Sequence, residues 1–191
     1  SDGTKVVFEG PGVHDIALSS SDARLFDLVV EGGQARFTDW VGMRPLQHDL
    51  DLVPADPFKV SELDLAGHTL TVMGDVHHTA GTISVDYGEL SVGGSYRCVG
   101  GATSDAGGNV TYGTSSGCVK MLHDEDLLRI SGDFELRSGT SSTWSISYMQ
   151  AGTIRVGGSF SDASNDSYPY YGFVSDGTKV VFEGPGVHDI A

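Results

Sequence analysis

A chain of 191 residues with 27 glycines and only 19 % charged residues is long enough to bury a sizeable core as one domain. Its formal charge of −15, from 26 acidic against 11 basic residues, argues against nucleic acid or an anionic membrane as partner, because phosphate binding needs Lys and Arg. Gly, Ser, Thr and Val dominate and few stretches sustain a helix, so composition points to an all-β protein with many turns.

The first seventeen residues, SDGTKVVFEGPGVHDIA, recur letter for letter as residues 175–191. Old duplications drift first at exposed positions, yet Asp2/Asp176, Lys5/Lys179 and His14/His188 all agree. Identity of this kind marks a tandem array of near-identical repeats, with a grafted copy as the alternative. The offset of 174 residues is then the period, long enough for each period to be a whole domain. On this reading residues 1–174 are one period, with 1–60 a less regular entry region and 61–174 regular coils. Residues 175–191 open the next period. No apolar run in the sequence is long enough to span a bilayer, so this segment is not expected to insert into a membrane.

After the first copy, Phe26, Leu28 and Val30 alternate as a strand with one buried face, and Gly32-Gly33 forms a turn. A short helix is possible just ahead of it. Thr38 to Val60 holds three prolines and reads as a wrapping loop with one short strand at Leu50 to Val53. From Ser61 the text becomes regular. Leu63, Leu65, Leu70 and Val72 alternate on one face of LDLAGHTLTV, with Ala66-Gly67 at the bend. Ile83/Val85, Leu90/Val92, Leu128/Ile130, Ile146/Tyr148, Ile154/Val156 and Val180/Phe182 repeat the pattern, the last mirrored by Val6/Phe8. Each is a short strand with two or three inward apolar residues.

A second regularity closes these strands. Met73-Gly74-Asp75-Val76, Gly93-Gly94-Ser95-Tyr96, Ser131-Gly132-Asp133-Phe134 and Gly157-Gly158-Ser159-Phe160 share one form. The glycine is expected to supply positive φ, the Asp or Ser to bond its own backbone, and the large apolar residue to re-enter the interior. Strand, corner, strand, repeated with irregular spacing, predicts an irregular right-handed parallel β-helix (β-solenoid) with loop insertions. An antiparallel β-sandwich is the alternative. The run LDLAGHTLTVMGDVHHTAGTISVDYGELSVGGSY resembles the β-solenoid repeats of very large bacterial surface and secreted proteins, namely haemagglutinin-like exoproteins and autotransporter adhesins. LLRISGDFELRSG and AGTIRVGGSF look like the remainder of such a repeat. That resemblance implies a structural or adhesive role at the cell surface and adjacent identical modules as partners.

Cys98 and Cys118 flank a Gly-, Ser- and Thr-rich excursion. They read as a disulfide clamping its base, worth about 3 kcal/mol in the chain-entropy model, and imply an extracellular setting. The loop around Pro169 carries Tyr168, Tyr170 and Tyr171, candidates for contact with a glycan or a host protein, with Trp40 and Trp144 as possible contributors. Asp124, Glu125 and Asp126 are calcium candidates without EF-hand spacing. His77 and His78 are adjacent, so only one of them can share a strand face with His68; exposed turn histidines are the plainer reading. Asp75, Asp86 and Asp133 sit at corners rather than forming a catalytic pair, and no cofactor motif is present. A polysaccharide-active enzyme is thus the third reading, behind a stalk module and a ligand-binding module.

Overall fold

A computed structural model describes residues 4–18, 25–40, 46–53, 61–113, 115–137, 148–163, 173 and 176–190. The fold is all-β and is built from three parallel sheets. The first sheet contains β1 (Lys5–Phe8), β3 (Asp27–Val30), β5 (Leu50–Leu52), β8 (Val76–His78), β11 (Tyr96–Cys98), β16 (Phe134–Leu136) and β18 (Phe160–Asp162), in that order. The second runs β2 (Val13–Leu18), β4 (Gly33–Trp40), β6 (Ser61–Asp64), β9 (Ala80–Ser84), β14 (Ser116–Lys120). The third runs β7 (Thr69–Val72), β10 (Glu89–Val92), β15 (Leu127–Ile130), β17 (Thr153–Val156), β19 (Lys179–Phe182).

From β6 to β16 chain order runs second sheet, third, first, three times over, so each of these three circuits adds one strand to each sheet. Before β6 the described strands alternate between the first and second sheets, and after β16 between the third and first. Strands stack in register: Leu28, Leu50, Val76, Tyr96, Phe134 and Phe160 form one inward row of the first sheet. Among the described residues the antiparallel ladder is β12 (Ala102–Ser104) with β13 (Val110–Tyr112), a hairpin within the Cys98–Cys118 excursion. The sandwich alternative requires antiparallel pairing between the main strands and is therefore set aside.

Most of the alternating residues predicted to point inward do so. Val6, Phe8, Val180 and Phe182 are partly buried against the core, Phe26 is half-buried outside it, and Met149 rather than Tyr148 enters it, bridging Met121. Leu63, Leu65, Leu70, Val72, Ile83, Val85, Leu90, Val92, Leu128, Ile130, Ile154 and Val156 are all buried in one continuous core. Ala66-Gly67 is the bend that carries the chain from β6 to β7, with both residues at positive φ (47° and 81°). The residue after each corner also enters the core as expected. Val76, Tyr96, Phe134 and Phe160 are buried, and the last three rings stack at 5.4 and 4.9 Å between centroids. Such pairs add about 0.5–1.5 kcal/mol each beyond the area they bury.

The corners work differently from the expectation. Gly74, Gly94, Gly132 and Gly158 are absent from the positive-φ residues. A Cβ on Gly74 would sit 2.2 Å from Asp49 Oδ1, and one on Gly94 2.1 Å from Asp75 Oδ1. On Gly158 it would meet Asp133 Oδ1 at 2.3 Å. Each glycine leaves room for the corner side chain of the circuit before. That side chain does not bond its own corner but accepts from the next one. The Asp49 N–H donates to Asp27 Oδ1 (3.2 Å), Asp75 N–H to Asp49 Oδ1 (2.8 Å) and Ser95 N–H to Asp75 Oδ1 (2.8 Å). Asp133 N–H then donates to Ser95 Oγ (3.2 Å) and Ser159 N–H to Asp133 Oδ1 (2.8 Å). The corners form a ladder along the stack. It satisfies backbone N–H groups that the turn leaves outside the sheet.

Candidate functional surface

The outward row of the first sheet reads Asp51, His77, Arg97, Glu135. His77 Nδ1 lies 3.1 Å from Asp51 Oδ1, Arg97 donates to Asp75 Oδ2 at 2.9 Å, and Arg137 donates to Glu135 at 3.1 Å. The bond to Asp51 raises the His77 pKa above its usual value despite partial burial. On the third sheet Arg129 and Arg155 both donate to Glu183, which belongs to the second copy of the duplicated segment. Apart from Arg137 and Glu135, which lie two residues apart, these pairs join one circuit to another.

His78, one residue on, faces the opposite way and is fully buried. It is therefore not an exposed turn histidine. Its Nε2 lies 3.1 Å from the Gly81 carbonyl, which can only accept, so the proton belongs on Nε2. Nδ1 then accepts from the Tyr96 hydroxyl at 2.6 Å. Burial pushes the His78 pKa down to about 4, which keeps the ring neutral at physiological pH. Gly117 provides the ring's seat, since a Cβ there would stand 2.6 Å from the imidazole. His68 precedes β7 at a different corner, where its N–H donates to Leu65 O (2.9 Å).

Cys98 and Cys118 are free thiols, which corrects the predicted disulfide. The pleat is the reason. Cys98 points into the core of the first sheet, with Sγ against Ser115 Oγ (3.5 Å) and Gly117 O (3.6 Å). Cys118 stands on the second sheet in register with Thr82 and Glu62, its Sγ 3.2 Å from Thr82 Oγ1. Burial pushes the Cys98 thiol up to about 12 and raises Cys118 as well, so neither is a ready nucleophile. The excursion between them is held instead by the β12–β13 ladder and by Asp105, whose carboxylate accepts from the N–H groups of Gly107 (2.8 Å) and Asn109 (2.9 Å).

Of the calcium candidates, Asp126 is buried and its carboxylate is occupied. It accepts from the backbone N–H groups of Tyr87 (2.6 Å), Leu122 (2.7 Å) and His123 (2.9 Å). Asp124 and Glu125 are exposed. Among the described residues no group of three or more His, Cys, Asp or Glu side chains is arranged to hold a metal ion. Asp75 and Asp133 are rungs of the corner ladder, and Asp86 occupies a left-handed turn position (φ 45°) 3.4 Å from His123 Nε2. Tyr168, Tyr170, Tyr171, Ile146 and Trp144 lie outside the described residues, as do residues 19–24 of the Leu18 to Phe37 stretch in which a short helix was expected.

Among the described residues the exposed large apolar side chains are Met73, Tyr87 and Val110 on turns and the excursion, and four in the duplicated segment. Val7, Val13, Val187 and Ile190 are exposed, and all four belong to the duplicated segment. The two copies share one local shape. Phe8 packs on His14 at 5.6 Å and 37°, and Phe182 on His188 at 5.2 Å and 38°. The intervening glycines repeat too: φ is 91° and 133° at Gly10 and Gly12, 103° and 145° at Gly184 and Gly186. No family model matches the chain, and neither the curated proteins nor the solved structures contain a match to it.

Proposed function

We propose that this chain is a structural module of a tandem array, each period being a stretch of three-sided parallel β-helix that stacks on the next to form an extracellular stalk or adhesin scaffold. The observation that carries the reading is the pairing of the duplicated segment. The first copy is paired only forward: Thr4 O accepts from Asp27 N–H (3.4 Å) and Phe8 O from Glu31 N–H (2.9 Å). The second is paired backward: Lys179 N–H donates to Gly152 O (3.0 Å) and Glu183 N–H to Val156 O (2.8 Å). One strand, KVVF, thus has each of its edges in use once. In an array a single copy has both.

The same logic explains the isoleucines. Ile16 is 5 % exposed, with β4 paired on its strand, whereas Ile190 is 72 % exposed at the far end of the stack. Burying one such side chain contributes about 1.5–3 kcal/mol. The cell-surface setting rests on the resemblance of the coil text to bacterial surface repeats, not on the cysteines. A chain lacking residues 175–191 should melt lower and self-associate, because β17 then becomes an open edge with Ile154 and Val156 at its rim. An unchanged Tm together with a monomeric state would remove the support for the segment as a joint.

A further inference from the structure

The two copies do not occupy the same side of the stack. In the first, KVVF is β1 of the first sheet and VHDIAL is β2 of the second. In the second, KVVF is β19 of the third sheet, and Ile190 bridges Phe160 of the first. The turn from Phe8 to His14 and the turn from Phe182 to His188 share one conformation, as the ring pairs and the glycine φ angles show. The segment has therefore moved by one side of three.

Counting circuits gives the size of the step. The seven-stranded sheet takes six circuits from β1 to β18, and two further sides lead from β18 to β19. One period is six circuits and two sides, one side short of seven. Resting on the array reading above, we infer that successive periods continue as one coil but are each turned by one third of a revolution about its axis. Whatever a period displays on one side, its successor displays on the next. Only every third period presents the same side.

The backbone of the joint permits this, because its bonds do not read the side. Behind β19 stand Thr153 to Val156 of the third sheet; ahead of β1 stand Asp27 to Val30 of the first. Both are parallel partners matched residue for residue along four positions. His188 Nδ1 donates to Gly158 O of the circuit behind it at 2.9 Å. The circuit that would stand behind His14 belongs to the preceding copy. The main-chain ladder of the joint fits any side, while Glu183 adds side-chain bonds to Arg129 and Arg155 of the circuits behind it.

The consequence concerns what the array can hold. The β12–β13 hairpin leaves the coil between β11 of the first sheet and β14 of the second. With strands about 4.8 Å apart along the stack, one period rises about 32 Å and the same side recurs after about 96 Å. The hairpins then point in three directions in turn. A partner bound at one hairpin would then sit on a different side of the stalk from one bound at the next.

The test is the chain continued through its own sequence for six periods, with a small folded domain inserted between Gly107 and Gly108 at the exposed hairpin tip, viewed by electron microscopy. A rod bearing domains in three directions, with every third domain aligned about 96 Å apart, is expected. Domains in a single row on a straight rod overturn the rotation and leave the continuous coil standing. Beads on a flexible string overturn both. Averaged images of the same array without insertions, in which the excursion itself is the knob, give the same reading if the inserted domain prevents folding.

Discussion

Replacing Gly94 by Ala tests why the corners carry glycine. The new methyl would stand 2.1 Å from Asp75 Oδ1 and 2.8 Å from Gly74 O, so the carboxylate must leave its rung. Ser95 N–H, which donates to that oxygen at 2.8 Å, then loses a charged acceptor. The lost bond costs about 1.5–3 kcal/mol, toward the lower end here because the carboxylate is partly exposed, and overpacking against the backbone adds about 1–3. Together these predict a loss of about 3–5 kcal/mol, which lowers Tm by about 10 °C in a chain of this size. Gly67→Ala is the contrast. It sits at φ 81° with its nearest neighbour 3.9 Å from the added Cβ, so only the backbone penalty of about 1–2 kcal/mol applies. Urea unfolding followed by circular dichroism measures both, and a double-mutant cycle with Asp75→Ala isolates the contact. Removing Asp75 first clears the space, so the double variant should lose about 1–2 kcal/mol less than the sum of the singles. Additivity within about 0.5 kcal/mol, or equal costs at Gly94 and Gly67, would refute the ladder as the reason for the glycine.

Two further outcomes follow from the buried groups. His78 has a folded-state pKa near 4, below its unfolded value, so the stability it contributes is complete above about pH 6.5 and falls by about 3 kcal/mol as pH drops to 4. Its ring proton resonances should stay unshifted from pH 7 to 5 in an NMR titration, and a midpoint near 6.5 would contradict the burial argument. Both cysteines should titrate as thiols in unfolded, never-reduced protein. In the folded protein Cys118 should react with a maleimide before Cys98, and a mass two hydrogens short would restore the disulfide.

The regular part of the fold was legible because a two-residue period survives in β6, β7, β10, β15 and β17. Leu70 and Val72, or Ile154 and Val156, cannot face both the core and water. The corners were visible as text, but their cause lay a full circuit away. Gly94 and Asp75 are 19 residues apart in the chain, and no local rule connects a glycine to the carboxylate of the preceding circuit. The disulfide failed for a related reason. Spacing brought Cys98 and Cys118 to the base of one excursion but could not say that one faces inward and the other outward. His78 was misread because its seat, Gly117, lies on another sheet. The side taken by the duplicated segment was not legible at all, since identical letters occupy the first sheet in one copy and the third in the other. It depends on how many sides the intervening chain has used.

The Cys98–Ser115 excursion has an evolutionary consequence. Val76 and Tyr96 are stacked neighbours 20 residues apart, while Tyr96 and Phe134 are stacked neighbours 38 residues apart, with no change in register. A circuit closes through its corner rung and its core row, and extra chain at an edge between sheets adds only a slowly growing closure entropy, about 0.6 kcal/mol for each doubling of loop length. Such an edge is a port through which a lineage can acquire, exchange or discard whole loops while the scaffold stays fixed. Novelty in this protein is cheapest at that port, and a laboratory library of displayed peptides has its natural entry between Gly107 and Gly108.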